Sequence, residues 1–384
     1  MATTTATAPG KSPQGGTRTR QPIQIGKVLL EGRAFLALIA IFIVFSVLAP
    51  DSYPTLSNII TMSQQVSVYA VISVGMLIVI LNGGIDLSVG STLGLAGMVT
   101  GLSIRGIHLP GGATAYPPIW TVVIIALTAG AIVGLINGLL IAKARVAPFV
   151  ATLGTLYIVR GIALLSNNGL TVNSLDGDPA LGNTGFDWLG FNSIAGIPVG
   201  VWVMVLVAII ASIVLNRTRY GRWLYASGGN ERAAELSGVP VRQVKIRAYV
   251  ISGVCAAIAG VVLTSRLTSA GPTQGTSYEL TAIAAVVIGG AALTGGRGTV
   301  RGTLLGAFVI GFLAAGLTIV NVTAYIQTVF TGAVIIVAVL LNSIQYKGRA
   351  RRQNGTLPPA PPASPKTATA DSTETAAPAG KAGV

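Results

Sequence analysis

Charge is what this chain has least of. Only 9% of its 384 residues are Asp, Glu, Lys or Arg, where a soluble domain carries about 25%. So few charges cannot cover the surface of a water-soluble protein of this length. Acids are scarcer still, 11 against 25 bases, leaving a formal net charge of +14. The single Cys255 excludes an internal disulfide and a cysteine metal cluster, and its apolar surroundings make it a small packing residue. The single His108 has no partner at metal-ligand spacing. The sequence also lacks a glycine-lysine phosphate loop and paired carboxylates within its apolar runs. ATP hydrolysis by the chain itself, metal catalysis and a carboxylate proton relay are therefore excluded, and nothing calls for a cofactor.

What is abundant is apolar. Hydrophobic residues make up 52%, mean hydropathy is +0.73, and there are 49 glycines. Gly is common where transmembrane helices pack closely. A helix needs about 20 residues to cross the hydrocarbon core. Ten runs qualify or nearly qualify: Arg33–Ala49, Gln64–Leu81, Leu87–Ser103, Trp120–Ile141, Phe149–Leu165, Val199–Leu215, Ala248–Ser265, Leu280–Leu293, Thr303–Val320 and Tyr325–Asn342. Several are short, so some must be tilted, broken or covered by protein. The expectation is an all-α polytopic membrane protein with about ten transmembrane helices in residues 31–346.

The basic residues orient it. With both termini in the cytoplasm, 22 of the 25 Lys and Arg fall on the cytoplasmic side, as the positive-inside bias requires. Arg105 and Arg266 fall outside. Arg160 lies in the outer half of its span, where its long stem can snorkel. The external loop Ser166–Pro198 has no Lys or Arg but has Asp176, Asp178 and Asp187. This arrangement explains the positive charge without nucleic acid. Residues 1–30 read as a polar, uncleaved cytoplasmic tail, and the Pro-, Ala- and Thr-rich residues 347–384 as a disordered one.

An internal repeat is visible. Asn82-Gly-Gly-Ile-Asp-Leu-Ser-Val-Gly-Ser-Thr-Leu-Gly94 aligns without gaps to Thr294-Gly-Gly-Arg-Gly-Thr-Val-Arg-Gly-Thr-Leu-Leu-Gly306. The first copy enters the third run and the second the ninth; copies five spans apart give an inverted repeat, the expected relation, and copies six apart a parallel one. Repeated halves with Gly-interrupted segments are typical of transporters.

Three segments can carry function. In the first, Asn82, Gly83, Gly84, Asp86 and Ser88 combine a helix break with polar groups at membrane depth, a combination that survives only inside protein or beside a wet cavity. Asp86 or Ser88 either caps the following helix or serves a path or gate. The second is the cytoplasmic loop 216–247. Asn230 is a good N-cap, Glu231 suits a first turn, and Gly238 suits the residue after a helix end. The loop thus reads as two short helices joined by a sharp bend, with Ala233, Ala234 and Ser237 forming a small tip fit for a partner's groove. In the third, Glu279 stands at the outer boundary of a span, as a cap or as a contact for substrate or an external partner.

Together these segments resemble the permease subunit of a bacterial ATP-binding cassette sugar importer, in the ribose, xylose and galactose branch. The residues carrying the likeness are the Asn82–Ser91 stretch, Gly138-Leu-Leu-Ile-Ala-Lys-Ala-Arg-Val-Ala-Pro148-Phe-Val-Ala-Thr-Leu-Gly154-Thr, Gly228–Gly238, Leu280–Gly290 and Gly295-Gly-Arg-Gly-Thr. The likeness covers roughly Ile25–Asn342. It implies a bacterial plasma-membrane transport subunit for a ribose-like monosaccharide and alternating access driven by partners. Those partners are cytoplasmic ATPase subunits, an extracytoplasmic sugar-binding protein and a second permease copy or sister permease. It also implies that Asn230–Gly238 is the coupling helix that docks into the ATPase. The competing reading is a stand-alone secondary transporter or facilitator, which fits the spans but not the helix–bend–helix loop. A membrane enzyme lacks any nucleophile–base pair.

Overall fold

The computed structural model describes residues 33–334 without a break, together with 336, 337 and 340. Both expected tails and the end of the tenth expected span lie outside the described residues.

The described chain is helical, with three two-stranded β ladders in its loops. The long elements are α1 (Arg33–Leu48), α2 (Leu56–Leu81), α3 (Val89–Arg105), α4 (Ile119–Ala142), α5 (Pro148–Leu165), α7 (Val199–Arg217), α10 (Val241–Leu267) and α12 (Val300–Ile319). A short α6 (Trp188–Phe191) lies in the long loop before α7. The helices α8 (Arg219–Gly229) and α9 (Glu231–Leu236) lie between α7 and α10, and α11 (Tyr278–Ile288) lies between α10 and α12. Residues 324–334 are helical as well. Six of these helices are long and apolar enough to cross a membrane, namely α2, α4, α5, α7, α10 and α12, and α1 and α11 are shorter apolar helices.

The core is built around α2 and α10, which are buried along most of their length. At ~1.5 Å per residue each is about 40 Å long. They run antiparallel. Gly75 of α2 packs against Ser252 and Cys255 of α10, while Gly84, beyond the end of α2, meets Tyr249. Small residues set the approach of the other helices. Gly130, Gly134 and Gly138 of α4 recur every four residues and face the α10 backbone at Gly253, Tyr249 and Ile246, the packing that small-xxx-small spacing allows. The outer faces of α4, α5 and α7 stay apolar and open, with Trp120, Ile124, Ile158, Leu165, Leu206 and Ile210 exposed. In water such a surface would be a liability; in a bilayer it is the solvent-facing surface.

Two long helices are followed by irregular backbone that re-enters the bundle. After α2, residues 82–88 lead into α3 from the basic end. After α10, residues 268–277 lead into α11 from the opposite end, tied there by a β ladder of Val172 with Ala270 and Asn173 with Ser269. Depth follows from the contacts. Tyr278 opens α11 and packs on Tyr69, with ring centroids 4.8 Å apart. Tyr69 is at the middle of α2, so α11 begins level with the middle of that helix.

The span Leu280–Leu293 expected from sequence is thus a half-length helix that ends at Ile288. Helix α10 is longer than the expected Ala248–Ser265, because it continues beyond the apolar zone into Val241–Arg247. The aligned motif copies lead into α3 and α12. Both helices run antiparallel to α2: Gly298 meets Leu77 and Leu81 while Gly311 meets Val66, and Asp86 and Gly97 meet Ser252 and Thr264 along α10. The two copies therefore enter the bundle in the same sense, which corrects the expected inverted relation for this motif.

Candidate functional site

The basic end is organised by three glycine-containing segments that touch. Asn82, at the C-terminal end of α2, donates through Nδ2 to Ser227 Oγ of α8 at 2.7 Å. The Gly296 N–H donates to the Leu81 carbonyl at 2.9 Å. Gly228 lies so close to that same carbonyl and to the Gly296 nitrogen that a methyl group cannot be accommodated. Gly83 approaches Thr294 and Gly295. The Tyr225 hydroxyl donates to the Gly298 carbonyl at 2.9 Å. The loop between α7 and α10 is thereby fastened to both glycine motifs at once.

Deeper in, Asp86 is buried to 1% exposure. Its Oδ1 accepts from the Ser88 backbone N–H and from Ser88 Oγ at 2.7 Å, and its Oδ2 accepts from Ser252 Oγ of α10 at 2.8 Å. Asn137 of α4 donates to Ser88 Oγ at 2.8 Å. The capping reading is altered by this geometry. Ser88 occupies the N-cap position of α3 yet makes no side-chain cap bond. Asp86 binds the N–H two residues on, a turn-type contact, and its other oxygen reaches across to α10. Sequence reasoning missed Ser252 and Asn137. Both lie inside apolar runs, and the signal available was that each is a polar residue in a span, where a buried hydrogen-bonding group needs a partner.

The second broken segment lies along α3. Gly90, Gly94 and Gly97 leave room for Gly275, for the Pro272 and Gln274 carbonyls and for Thr264. Glu279 is half-buried in the first turn of α11, over Gly90. Its neighbour Tyr278 packs at the middle of α2, whereas the sequence reading put Glu279 at the outer boundary of a span. Arg160 does not snorkel outward. Its guanidinium turns inward from α5 and donates to the Pro272 and Gln274 carbonyls, the latter at 2.9 Å, within the field of Glu279.

The loop helix α9 is capped at both ends. Asn230 Oδ1 accepts from the Ala233 N–H at 3.0 Å. At the other end the Val239 N–H reaches the Ala234 carbonyl and the Gly238 N–H reaches Glu235, with Gly238 at φ +80°, the paired bonds of a Schellman stop. Glu231 accepts from Lys245 Nζ at 2.7 Å, tying α9 to α10. Ser237 Oγ bonds back to the Ala233 carbonyl. Two expectations need correction. Ala234 is buried at 5% and faces inward, so it is not part of an open tip, whereas Leu236 is 79% exposed. The segment after the bend is not a second short helix but the first turns of α10, and the helix before α9 is α8.

The architecture and these polar breaks are those of a polytopic membrane permease, and the chain belongs to such a family: residues 58–339 match the family described as branched-chain amino acid transport system / permease component. Among curated relatives, the ribose import permease protein RbsC of Haemophilus influenzae is 43% identical over 83% of this chain and 95% of the relative. The Bacillus subtilis protein of the same name is 44% identical over 80% and 91%. The D-allose transport system permease protein AlsC of Escherichia coli is 38% identical over 82% and 91%. No solved structure matches the chain.

Proposed function

We propose that this chain is the membrane permease of an ATP-driven importer for a ribose-like monosaccharide, working as a pair of permeases. The carrying observation is the likeness, at above 40% identity and nearly full length, to permeases named for ribose import. The chain is a transport subunit, and ATP hydrolysis resides in a separate subunit. Its basic end is cytoplasmic and carries α8 and α9, which supports docking of an ATPase there. An extracytoplasmic binding protein delivers sugar at the other end. The stand-alone transporter reading has no comparable support, because it leaves α9, its two caps and its exposed Leu236 without a role.

Residues Asn230, Glu231, Ala233, Ala234, Ser237 and Gly238 build the coupling helix, with Leu236 as its contact side chain and Ala234 as its anchor. Asn82, Gly83, Gly84, Asp86 and Ser88 form the inner gate region, and Glu279 stands on the path. Ten spans in an inverted repeat complete the proposal, with α2–break–α3 and α10–break–α11 as its two related halves. Their long helices are antiparallel and their breaks enter from opposite ends, which supports this pairing over the motif alignment.

In this mechanism, ATP binding moves α9, and α9 pulls α8 and α10 together through its backbone and the Glu231–Lys245 pair. The test is reconstitution with the cognate ATPase and binding protein. Sugar-loaded binding protein is expected to stimulate ATP hydrolysis in wild type. Leu236→Asp is expected to lower both ATPase co-purification and stimulated hydrolysis at least tenfold while the permease stays folded. Sugar flux that needs no ATPase would sink the importer reading.

A further inference from the structure

The segment 273–279 presents polar side chains outward at a depth where a lone chain would meet hydrocarbon. Thr273, Thr276 and Ser277 are exposed, and Tyr278 and Glu279 are half-buried. The depth is fixed by Tyr278 on Tyr69, at the middle of a 26-residue helix. Neighbouring Leu280 is exposed too, so this face of the segment is open among the described residues. Hydroxyls, an ionisable carboxylate and irregular backbone at such depth persist only where they line water or protein. The backbone here is also specifically held. Ser277 and Gly275 have φ of +67° and +74°, and Arg160 fixes the Pro272 and Gln274 carbonyls from behind.

We propose that Thr276, Ser277, Tyr278 and Glu279, with Tyr69, form a wet contact station for the passing solute at the midplane, facing its counterpart across a second copy of this chain. This rests on the permease reading and deepens it by naming the surface the solute touches. The chemistry selects a small, neutral, polyhydroxylated molecule. The Glu279 carboxylate accepts from hydroxyls, and the Thr276 oxygen, whose own proton goes to the Thr273 carbonyl, is also left to accept. The Tyr69 and Tyr278 rings, tilted by 59°, offer an apolar surface for the C–H face of a sugar ring. Few contacts of this kind bind weakly, as a path needs: a solute must be able to leave.

Two measurements test it. Cys255 is buried, so single-cysteine reporters need no further background change. Thr276→Cys and Ser277→Cys in membranes are expected to react with a hydrophilic, membrane-impermeant thiol reagent applied from one side or the other, while Ile158→Cys on the apolar face of α5 is not. Failure of both to react from either side would overturn the proposal, whatever the transport result. In proteoliposomes containing the complete importer, Thr276→Val and Glu279→Gln are expected to cut uptake of radiolabelled D-ribose at least tenfold, while loaded binding protein still stimulates ATP hydrolysis at least half as well as in wild type. Loss of uptake and stimulation together in both variants would make the segment structural and overturn the station. Absence of ATP-dependent uptake in wild type would instead remove the permease reading, and the labelling result would still decide whether the segment is wet.

Discussion

Ser252 is one hydroxyl on a 27-residue apolar helix, yet it is the only side chain of α10 that donates to Asp86 among the described residues. The other donors to that carboxyl come from Ser88, two residues away. Removing the distant donor leaves a buried oxygen unpaired, which costs about 1–3 kcal/mol. Ser252→Ala is therefore expected to lower thermal stability in detergent by that order, more than its lost volume accounts for. The Asp86→Asn change is no simple complement, because its amide N–H groups would face donors already pointing at that site. If Ser252→Ala unfolds at the wild-type temperature, the Asp86 bridge between the first break and α10 contributes nothing to holding them together.

At the scale of elements, the seam between α4 and α10 depends on absence of side chain. A Cβ at Gly134 would collide with the Tyr249 carbonyl and the Val250 Cα, both backbone atoms that cannot turn aside. Separating the helices there also loosens Gly130 on Gly253 and Gly138 on Ile246. Gly134→Val is expected to cost roughly 1–3 kcal/mol or more. Gly154 on α5 is the control, since nothing lies within contact of its would-be Cβ. Gly154→Ala removes a poor helix former and is expected to be neutral or to stabilise by up to about 1 kcal/mol. Circular dichroism melts of the two variants side by side check the contrast, and a Gly134→Val variant that melts no lower than Gly154→Ala would mean that the seam tolerates a side chain.

For the whole molecule, what sequence made legible follows from how the information is stored. Hydropathy and basic loops are local, so α2, α4, α7 and the basic end were readable, as was the Asn230 cap on α9, three residues before the N–H it accepts from. The half-length of α11 was not, because Leu280–Leu293 is apolar throughout and only tertiary contacts reveal that Gly289–Leu293 turns away. Arg160 was misplaced because its partners, the Pro272 and Gln274 carbonyls, are more than 100 residues distant and carry no side-chain signature. Ser252 and Asn137 did show as polar residues inside apolar spans, but their partners in the first break, 166 and 49 residues away, could not be read from local pattern.

Those long-range contacts also determine how the molecule can move. The junction of Asn82 with Ser227, of Gly228 with Leu81 and of Tyr225 with Gly298 is packed so closely that a single methyl at Gly228 does not fit. Interfaces of this kind have no alternative position a short slide away, and packed cores switch between discrete arrangements instead of deforming smoothly. On the proposed coupling through α9, the loop helices, the start of the first break and the Gly295–Gly298 segment should then travel as one body. A cysteine pair at Asn82→Cys and Ser227→Cys, bridged by a short bifunctional thiol reagent, tests this directly. ATP-driven uptake in the bridged complex is expected to remain within about twofold of the unbridged one, because the bridge joins parts that do not separate. Arrest of uptake on bridging, restored by cleaving the reagent, would show instead that the loop leaves the break in each cycle, and that the gate opens at this junction and not deeper along α3 and α11.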